Sequence, residues 1–420
     1  MSAVFTKEMK KEYTLLIPNM VHPHFNIAKE VFVNHGYTVA ILDNQGPNVI
    51  REGLRYVHND ICYPAQLVIG QLIDAVKNGG YDPNKVALVI SQTGGGCRAS
   101  NYFFLLQKAL KKCGLEHIPV ISLNLKGMEK SPGFRITPFM LLQTYSAFVY
   151  GDTLMALANQ VRPYEVNKGE ADALVEKWTA YLGGKFAKNR GYIGWAMKRN
   201  LKRIASDFAA IEVVKTPKVK VGIVGEIYMK YAPLGNNDLQ AFLEEQGCEV
   251  LVPSVMGFLY YGLDNAEIDR SYYGGRLWIS MLTRFVLRQL FKVEAMAREA
   301  MLETEVFTVP LPYTEMKALN HGLIDYGVKM GEGWLLTAEM LDLIHSGYPN
   351  IVCTQPFGCL PNHICAKGMI RAVTERAPEA NIVAIDYDPS APRVNQENRI
   401  KLMLSIAKER LDATNAATGT

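Results

Sequence analysis

The sequence predicts an α/β protein of two Rossmann-like lobes, each with a parallel sheet, plus helical insertions. Three observations predict it. Short apolar runs alternate with helical patterns over residues 13–125, and such alternation implies a parallel sheet covered by helices on both faces. The alternation resumes after Pro217, over 218–253 and again over 350–411. The stretches between, 137–212 and 255–347, carry helical spacing and little strand character. The chain of 420 residues has room for about two or three domains. The expected division is a first lobe over 1–135, a helical segment over 136–216, and a second lobe over 217–412 with a helical insertion at 255–347. The end, 413–420 (ATNAATGT from 413), reads as a frayed tail.

In order, residues 13–18 (YTLLIP) read as a strand, 24–35 as a helix and 37–43 as a strand. Over 62–76 the residues Leu67, Ile69, Leu72, Ile73 and Val76 give a helix its apolar stripe. The run 85–91 (KVALVIS) is a buried strand, 101–112 a helix and 118–125 a strand. In the second lobe, 218–227 (KVKVGIVGEI) is a strand, 237–246 a helix and 249–253 a strand. After the insertion come strand 350–354, helix 363–376, strand 381–386 and helix 395–411. Residues 306–310 (VFTVP) read as one further short strand.

Composition narrows the class. Apolar content of 49% and charged content of 20% are those of an ordinary globular protein. A net charge of +4 is weak for this length and predicts neither nucleic acid nor a membrane surface as partner. The most apolar windows are interrupted by Gln143 and Asp152, and by Arg284 and Arg288, so neither spans a bilayer. The opening residues, MSAVFTKEMKKEY, hold no apolar stretch of a secretory signal. Seven dispersed cysteines, an odd number, argue against a disulfide framework and for a reducing, cytoplasmic setting.

The chemistry gathers in three turns. Residues 351–368 (IVCTQPFGCLPNHICAKG) hold three of the seven cysteines. Pro356, Gly358 and Pro361 forbid a continuing strand and an early helix, so Cys359 falls on a tight turn between a strand end and a helix start. Cys62 lies in Asn59-Asp60-Ile61-Cys62-Tyr63-Pro64, just ahead of an apolar helix that Asp60 is placed to cap. Cys97 follows Gly94, Gly95 and Gly96 after a buried strand, with Arg98 beside it. Ligands gather at such strand-to-helix turns, and a helix N-terminus favours a thiolate over a thiol. Two facing lobes would bring Cys62, Cys97 and Cys359 together. Three thiolates fit a [4Fe-4S] cluster with one open iron, and zinc with a fourth ligand is the alternative. Cys353, within a strand, is an extra thiol or a core residue.

Rival readings are weaker. Gly94-x-Gly96-x-x-Ala99 meets a relaxed dinucleotide fingerprint, but the next strand ends without the acid that pattern needs. No G-x-x-x-x-G-K-[ST] occurs, so there is no P-loop. His22-Pro23-His24 reads as loop histidines, Glu226 as a solvated strand end, and Asp386-Tyr387-Asp388 as structural. Cys113 and Cys248 read as helix-end core residues.

The motifs N-D-x-C-Y-P at 59–64, T-G-G-G-C-R at 93–98 and Q-P-F-G-C-L-P-N-H at 355–363 resemble one family. It comprises the activase-related, 2-hydroxyacyl-CoA dehydratase-like iron–sulfur proteins of the benzoyl-CoA reductase/dehydratase superfamily. V-G-E-I at 224–227 and A-I-D-Y-D-P at 384–389 extend the resemblance over nearly the whole chain. In many relatives this region follows actin-like ATPase modules, so the chain looks like a stand-alone version of it. The resemblance implies that Cys62, Cys97 and Cys359 hold the cluster, with a double-cubane cluster in one related class. It implies low-potential electrons from a separate actin-like ATPase activator with its own cluster, and a small-molecule substrate, a CoA thioester among the candidates, that is reduced or dehydrated. The catalytic acid and base are not carried over, and the assembly state is open to a homo-oligomer. The other readings are an electron-transfer or scaffold subunit without its own substrate, and a zinc or metal-free small-molecule binder.

Overall fold

The computed structural model describes residues 3–93, 95–124, 129 and 131–418. Gly94, Leu125 at the end of an expected strand, and residues 419–420 lie outside them. Two four-stranded sheets, all parallel, are flanked by helices. The first lobe runs β1 (Thr14–Pro18), α1 (His22–Asn34), β2 (Thr38–Leu42), α2 (Pro47–Tyr56), α3 (Tyr63–Asn78), β3 (Val86–Ser91), α4 (Tyr102–Lys112) and β4 (Val120–Leu123). A helical segment follows: α5 (Pro138–Val161), α6 (Glu170–Phe186) and α7 (Gly194–Ala209). The second lobe begins with β5 (Lys220–Gly225), α8 (Ile227–Tyr231), α9 (Leu239–Glu245) and β6 (Glu249–Leu251). Its insertion is α10 (Val255–Tyr273), α11 (Leu277–Leu302), α12 (Tyr313–Leu319) and α13 (Leu335–His345). It closes with β7 (Asn350–Pro356), α14 (Leu360–Cys365), α15 (Ile370–Arg376), β8 (Asn381–Tyr387) and α16 (Arg393–Thr418).

The sheets have the same order, β2-β1-β3-β4 and β6-β5-β7-β8. In each, the strand order reverses between the first strand and the third. That reversal opens a crevice at the carboxyl ends of β1 and β3, and of β5 and β7, where ligands bind in open α/β sheets.

Alternation along the strands sorts the cores. Leu15 and Ile17 of β1 face one core, Leu16 the other. The Leu15 side is covered by α1, α5, α6 and α7 and by the insertion, with Tyr261, Leu287 and Trp334 in the same cluster. The helical segment and the insertion, far apart in sequence, thus form one helical body over the first sheet. α3 serves both lobes. Ala65, Ile69 and Leu72 join the first lobe's core, and Tyr63 and Leu67 join the second's, beside Val221 and Ile385.

Four expectations change. α2 is a helix over a stretch where the sequence predicts no element; Gly53 in its middle weakens the helical signal. That glycine is there for contact, since a Cβ on it would fall 2.3 Å from the Gln66 carbonyl oxygen of α3. Residues 306–310 form no strand, because their backbone groups bond to side chains. The helix expected over 363–376 is broken at Ala366, where the chain turns through a short 3₁₀ segment, Lys367–Met369. The tail from 413 continues α16 as far as Thr418. No described helix is long and apolar enough to cross a membrane.

The α2–α3 contact sets where α3, and so its first residue, lies. A Cβ on Gly70 would sit 2.2 Å from the Val49 carbonyl oxygen, a backbone atom that cannot rotate away. Gly70→Ala is expected to destabilise the protein by about 1–3 kcal/mol, the usual cost of overpacking, read as a lower urea midpoint at unchanged slope.

Candidate functional site

Each of the three turn cysteines is the residue immediately before a helix. Cys62 precedes α3, Cys97 the 3₁₀ turn Arg98–Asn101 that leads into α4, and Cys359 α14. All three backbones are extended, with ψ of 143°, 142° and 102°. Asp60 is not the cap of α3; it lies in the turn before it, and its carbonyl accepts the Arg98 guanidinium.

The two lobes meet at these turns. The Tyr63 amide, orphaned at the start of α3, donates to the Phe357 carbonyl at 3.1 Å. Gly358, at φ +73°, packs so closely that a Cβ on it would lie 3.3 Å from the Cys62 Cα and from Arg98 Nη1. Cys62 and Cys359 are therefore backbone neighbours across the lobe boundary. Cys97 approaches from the side, where a Cβ on Gly331 would lie 3.9 Å from its Sγ and 2.7 Å from Pro361 of α14. The crevice thus gathers Cys62, Cys97 and Cys359. Cys62 and Cys359 are buried and Cys97 half-buried. Cys62 Sγ also lies 2.9 Å from the Tyr102 hydroxyl.

Two carboxyls share this place. Glu226 follows β5 and is partly buried, not a solvated strand end; its Oε2 accepts the Met229 amide at 2.9 Å. Glu332 lies in the loop before α13 and accepts the Ile227 amide at 3.0 Å. Burial, then repulsion from Glu332, pushes Glu226 up to about 8. Burial also raises Glu332. The sequence reading named Glu226 but missed Glu332, whose only signal is its place between Gly331 and Gly333. Both glycines have positive φ, 57° and 47°, which makes a tight turn that aims Glu332 inward. Behind the acids, Lys230 Nζ bonds both oxygens of Glu339 at 2.8 and 2.9 Å, deep in the second lobe.

The expectation that helix starts favour thiolates is reversed. Burial raises all three thiols, and the neighbouring acids add to it. Cys97 is pushed up to about 11 by burial, Glu332, Cys62 and Glu226. For Cys359 the causes are burial, Glu332 and Glu226. α14 is only six residues long, too brief for a large dipole, and at all three turns desolvation wins. Protonated, buried thiols are poor nucleophiles.

The other sequence candidates fall elsewhere. Cys353 is wholly buried in β7, with Sγ 3.6 Å from Asn362 Oδ1, in a core cluster with Cys365. Cys113 ends α4, and Cys248 is buried in the second lobe's core. His24 is buried against Asp152 at 2.9 Å, and His22 meets Asn26. Asp386 pairs with Lys367, and Asp388 caps its own turn at Ser390.

Soft thiolate donors suit iron–sulfur chemistry. Among the described residues no group of three His, Cys, Asp or Glu side chains stands at the spacing of a single metal ion. Gln355, on the strand that leads to Cys359, is wholly buried, and neither end of its carboxamide has a partner among the described residues. The Tyr228 hydroxyl, beside Glu226, is likewise buried and unpartnered. A polar group is thus left unsatisfied beside Glu226, as a binding site leaves one. Comparison with protein-family models and with curated proteins returns no match.

The raised acid has a stability consequence. A carboxyl whose folded pKa lies above its unfolded value favours folding when protonated. Its contribution is intact below about 4.5 and lost by about 8 for Glu226. Chemical denaturation of the metal-free chain should show stability falling as pH rises through this window. Glu226→Gln should flatten the upper part of that fall; an unchanged slope would place Glu226 in solvent.

Proposed function

We propose that this crevice holds an iron–sulfur cluster on Cys62, Cys97 and Cys359. On this reading the protein takes low-potential electrons from a separate ATP-hydrolysing activator and reduces or dehydrates a small substrate, a CoA thioester among the candidates. The observation that carries it is the convergence of three cysteines, widely spaced in sequence, at one lobe boundary. The resemblance of their motifs to the dehydratase-like family points the same way.

The donor set fits the group in chemistry. Three thiols buried among carboxyls have no evident use as thiols, and binding to a metal core would remove the protons that burial holds on them. A cluster of this kind supplies low-potential electrons and, with three protein ligands, one metal ion open to a substrate. The chain's own residues do the rest. Gly358 and Gly331 allow the three turns to approach. Glu226 holds a proton near neutral pH at the edge of the site, within the range useful for proton transfer. The Gln355 carboxamide offers both a donor and an acceptor to a polar substrate group. Around the mouth, Met330, Phe357, Leu360 and Ile364 are about half exposed. An apolar rim of this kind suits a docking protein, and electron transfer requires such a partner close to the cluster.

Anaerobic purification or reconstitution, followed by iron and acid-labile sulfide analysis, tests the reading. About four irons and four sulfides per chain are expected, falling to near zero when Cys62, Cys97 and Cys359 are changed to Ser together. Stoichiometric zinc without sulfide would overturn it. With no P-loop in the chain, the isolated protein should hydrolyse no ATP, and its cluster should be reduced only with activator, ATP and an electron donor together. Robust ATP turnover by the chain alone would contradict that division of labour.

A further inference from the structure

A second site lies on the same sheet edge, at the carboxyl end of β6. There a cavity of about 130 Å³ is enclosed by α5, the start of α10, α11, α13 and the segment 309–313. Its walls are largely apolar, with Met155, Val252, Met256, Met301 and Leu343 among them. We propose that this cavity binds a small carboxylic acid, its carboxylate on Arg298 and its apolar body against the methionine and aliphatic wall. The inference is independent of the cysteine site.

The argument is an inventory of the charged groups that line the cavity, on every element around it. On α5, Asp152 is fully committed. It accepts from Ser254 Oγ at 2.6 Å, the Val255 amide at 2.8 Å and the Met256 amide at 3.1 Å, and meets His24 Nε2 at 2.9 Å. On α13, Glu339 is closed off by Lys230. Glu294 of α11 and Asp342 of α13 each hold the covering segment by one oxygen, on the amides of Tyr313 and Leu311, both at 3.1 Å. Tyr260 of α10 faces Tyr145, and the Tyr313 hydroxyl donates to Asp264.

Arg298 differs from all of these. Its Nε donates to the Pro310 carbonyl at 3.0 Å, which fixes the plane of the guanidinium. Its terminal nitrogens have no hydrogen bond or ion pair among the described residues. It stands near both Glu294 and Asp342, yet forms a salt bridge with neither. The cavity's one uncommitted permanent charge is therefore positive, planar and held in a fixed orientation, the arrangement that takes a carboxylate by two parallel hydrogen bonds. Burial raises Glu294, and raises Asp342 to about 7. Below that pH Asp342 tends to be neutral, and a neutral carboxyl can donate to the ligand's oxygens. An ammonium ligand would meet Arg298 head-on.

The covering segment completes the enclosure. The Thr308 amide donates to Gln160 Oε1 at 2.7 Å, and Gln160 Nε2 donates to the Thr308 carbonyl at 3.0 Å. Pro310 and Pro312 have no N–H to satisfy. Every hydrogen bond just named for 308–313 ends on a side chain, so the segment is a strap tied across the cavity.

Isothermal titration calorimetry on the full chain, with hexanoate, hexylamine and hexanol as probes, tests the proposal. Hexanoate should bind at least tenfold tighter than the other two, and more tightly at pH 6 than at pH 8, where Asp342 ionises against it. Arg298→Gln should weaken hexanoate at least tenfold with the melting temperature little changed. Because Arg298 also ties the strap, Ala297→Phe gives a second reading: it fills the cavity, leaves Arg298 in place, and should abolish binding. Equal or tighter binding of hexylamine, full hexanoate affinity in either folded variant, or no heat from any probe would overturn the proposal. None of these measurements needs a metal, so their outcome is separate from the iron and sulfide analysis.

Discussion

The arrangement rests on one backbone hydrogen bond, from the Tyr63 amide to the Phe357 carbonyl at 3.1 Å. The first amides of any helix lack an intrahelical partner, and here one is satisfied by the other lobe. The bond holds the start of α3 against the turn that carries Cys359. α3 can serve as the shared element because it is buried nearly all round, with Tyr63 and Leu67 in one core and Ala65, Ile69 and Leu72 in the other. A helix buried on one face only could not join two sheets in this way. Once α3 is fixed, the reversal points of both sheets open toward one another, and the ends of β3, β5 and β7 deliver Cys97, Glu226 and Cys359 to one place.

The electrostatics of that place follow from burial more than from any dipole. Two carboxyls and three thiols, all raised, share a crevice with few countercharges. Arg98 does favour the Cys62 thiolate, but its guanidinium is spent on the Asp60 carbonyl. A site that keeps acids and thiols together, and leaves the Tyr228 hydroxyl unpaired among the described residues, is poorly satisfied as it stands. In water-filled or purely structural crevices such groups are usually paired off. Here the strain is relieved by protonation, and a positively charged core would relieve it in another way.

Much of this was legible in the sequence, for reasons tied to particular residues. Parallel strands buried on both faces read as unbroken apolar runs, so VALVIS and NIVCTQP stand out. The turn cysteines stand out because glycine and proline punctuate the chain around them. What was not legible depends on contacts distant in sequence. Nothing in Gly53 announces that it marks a helix crossing, since its meaning is the Gln66 carbonyl. Glu332 lies in a loop without periodicity and gains its place only from the Ile227 amide it accepts. The helical segment and the insertion looked like separate additions, because a shared core leaves no local trace in either. Residues 306–310 have the composition of a strand, but Gln160 and Arg298 take the backbone groups that a neighbouring strand would have paired.

The crevice and the cavity are linked by Lys230. It closes off Glu339, which lines the cavity, and its charge also lowers Glu226 and Glu332 at the crevice. A buried ammonium is costly unless fully paired, and here one ammonium moderates carboxyls on both sides of it. Ionising Glu226 or Glu332 would draw on the same charge that lowers Glu339 against its burial, and Glu339 in turn raises Asp342. The acids of the cysteine crevice and the carboxyls of the cavity wall therefore feel the same buried charge, with no movement of the backbone required.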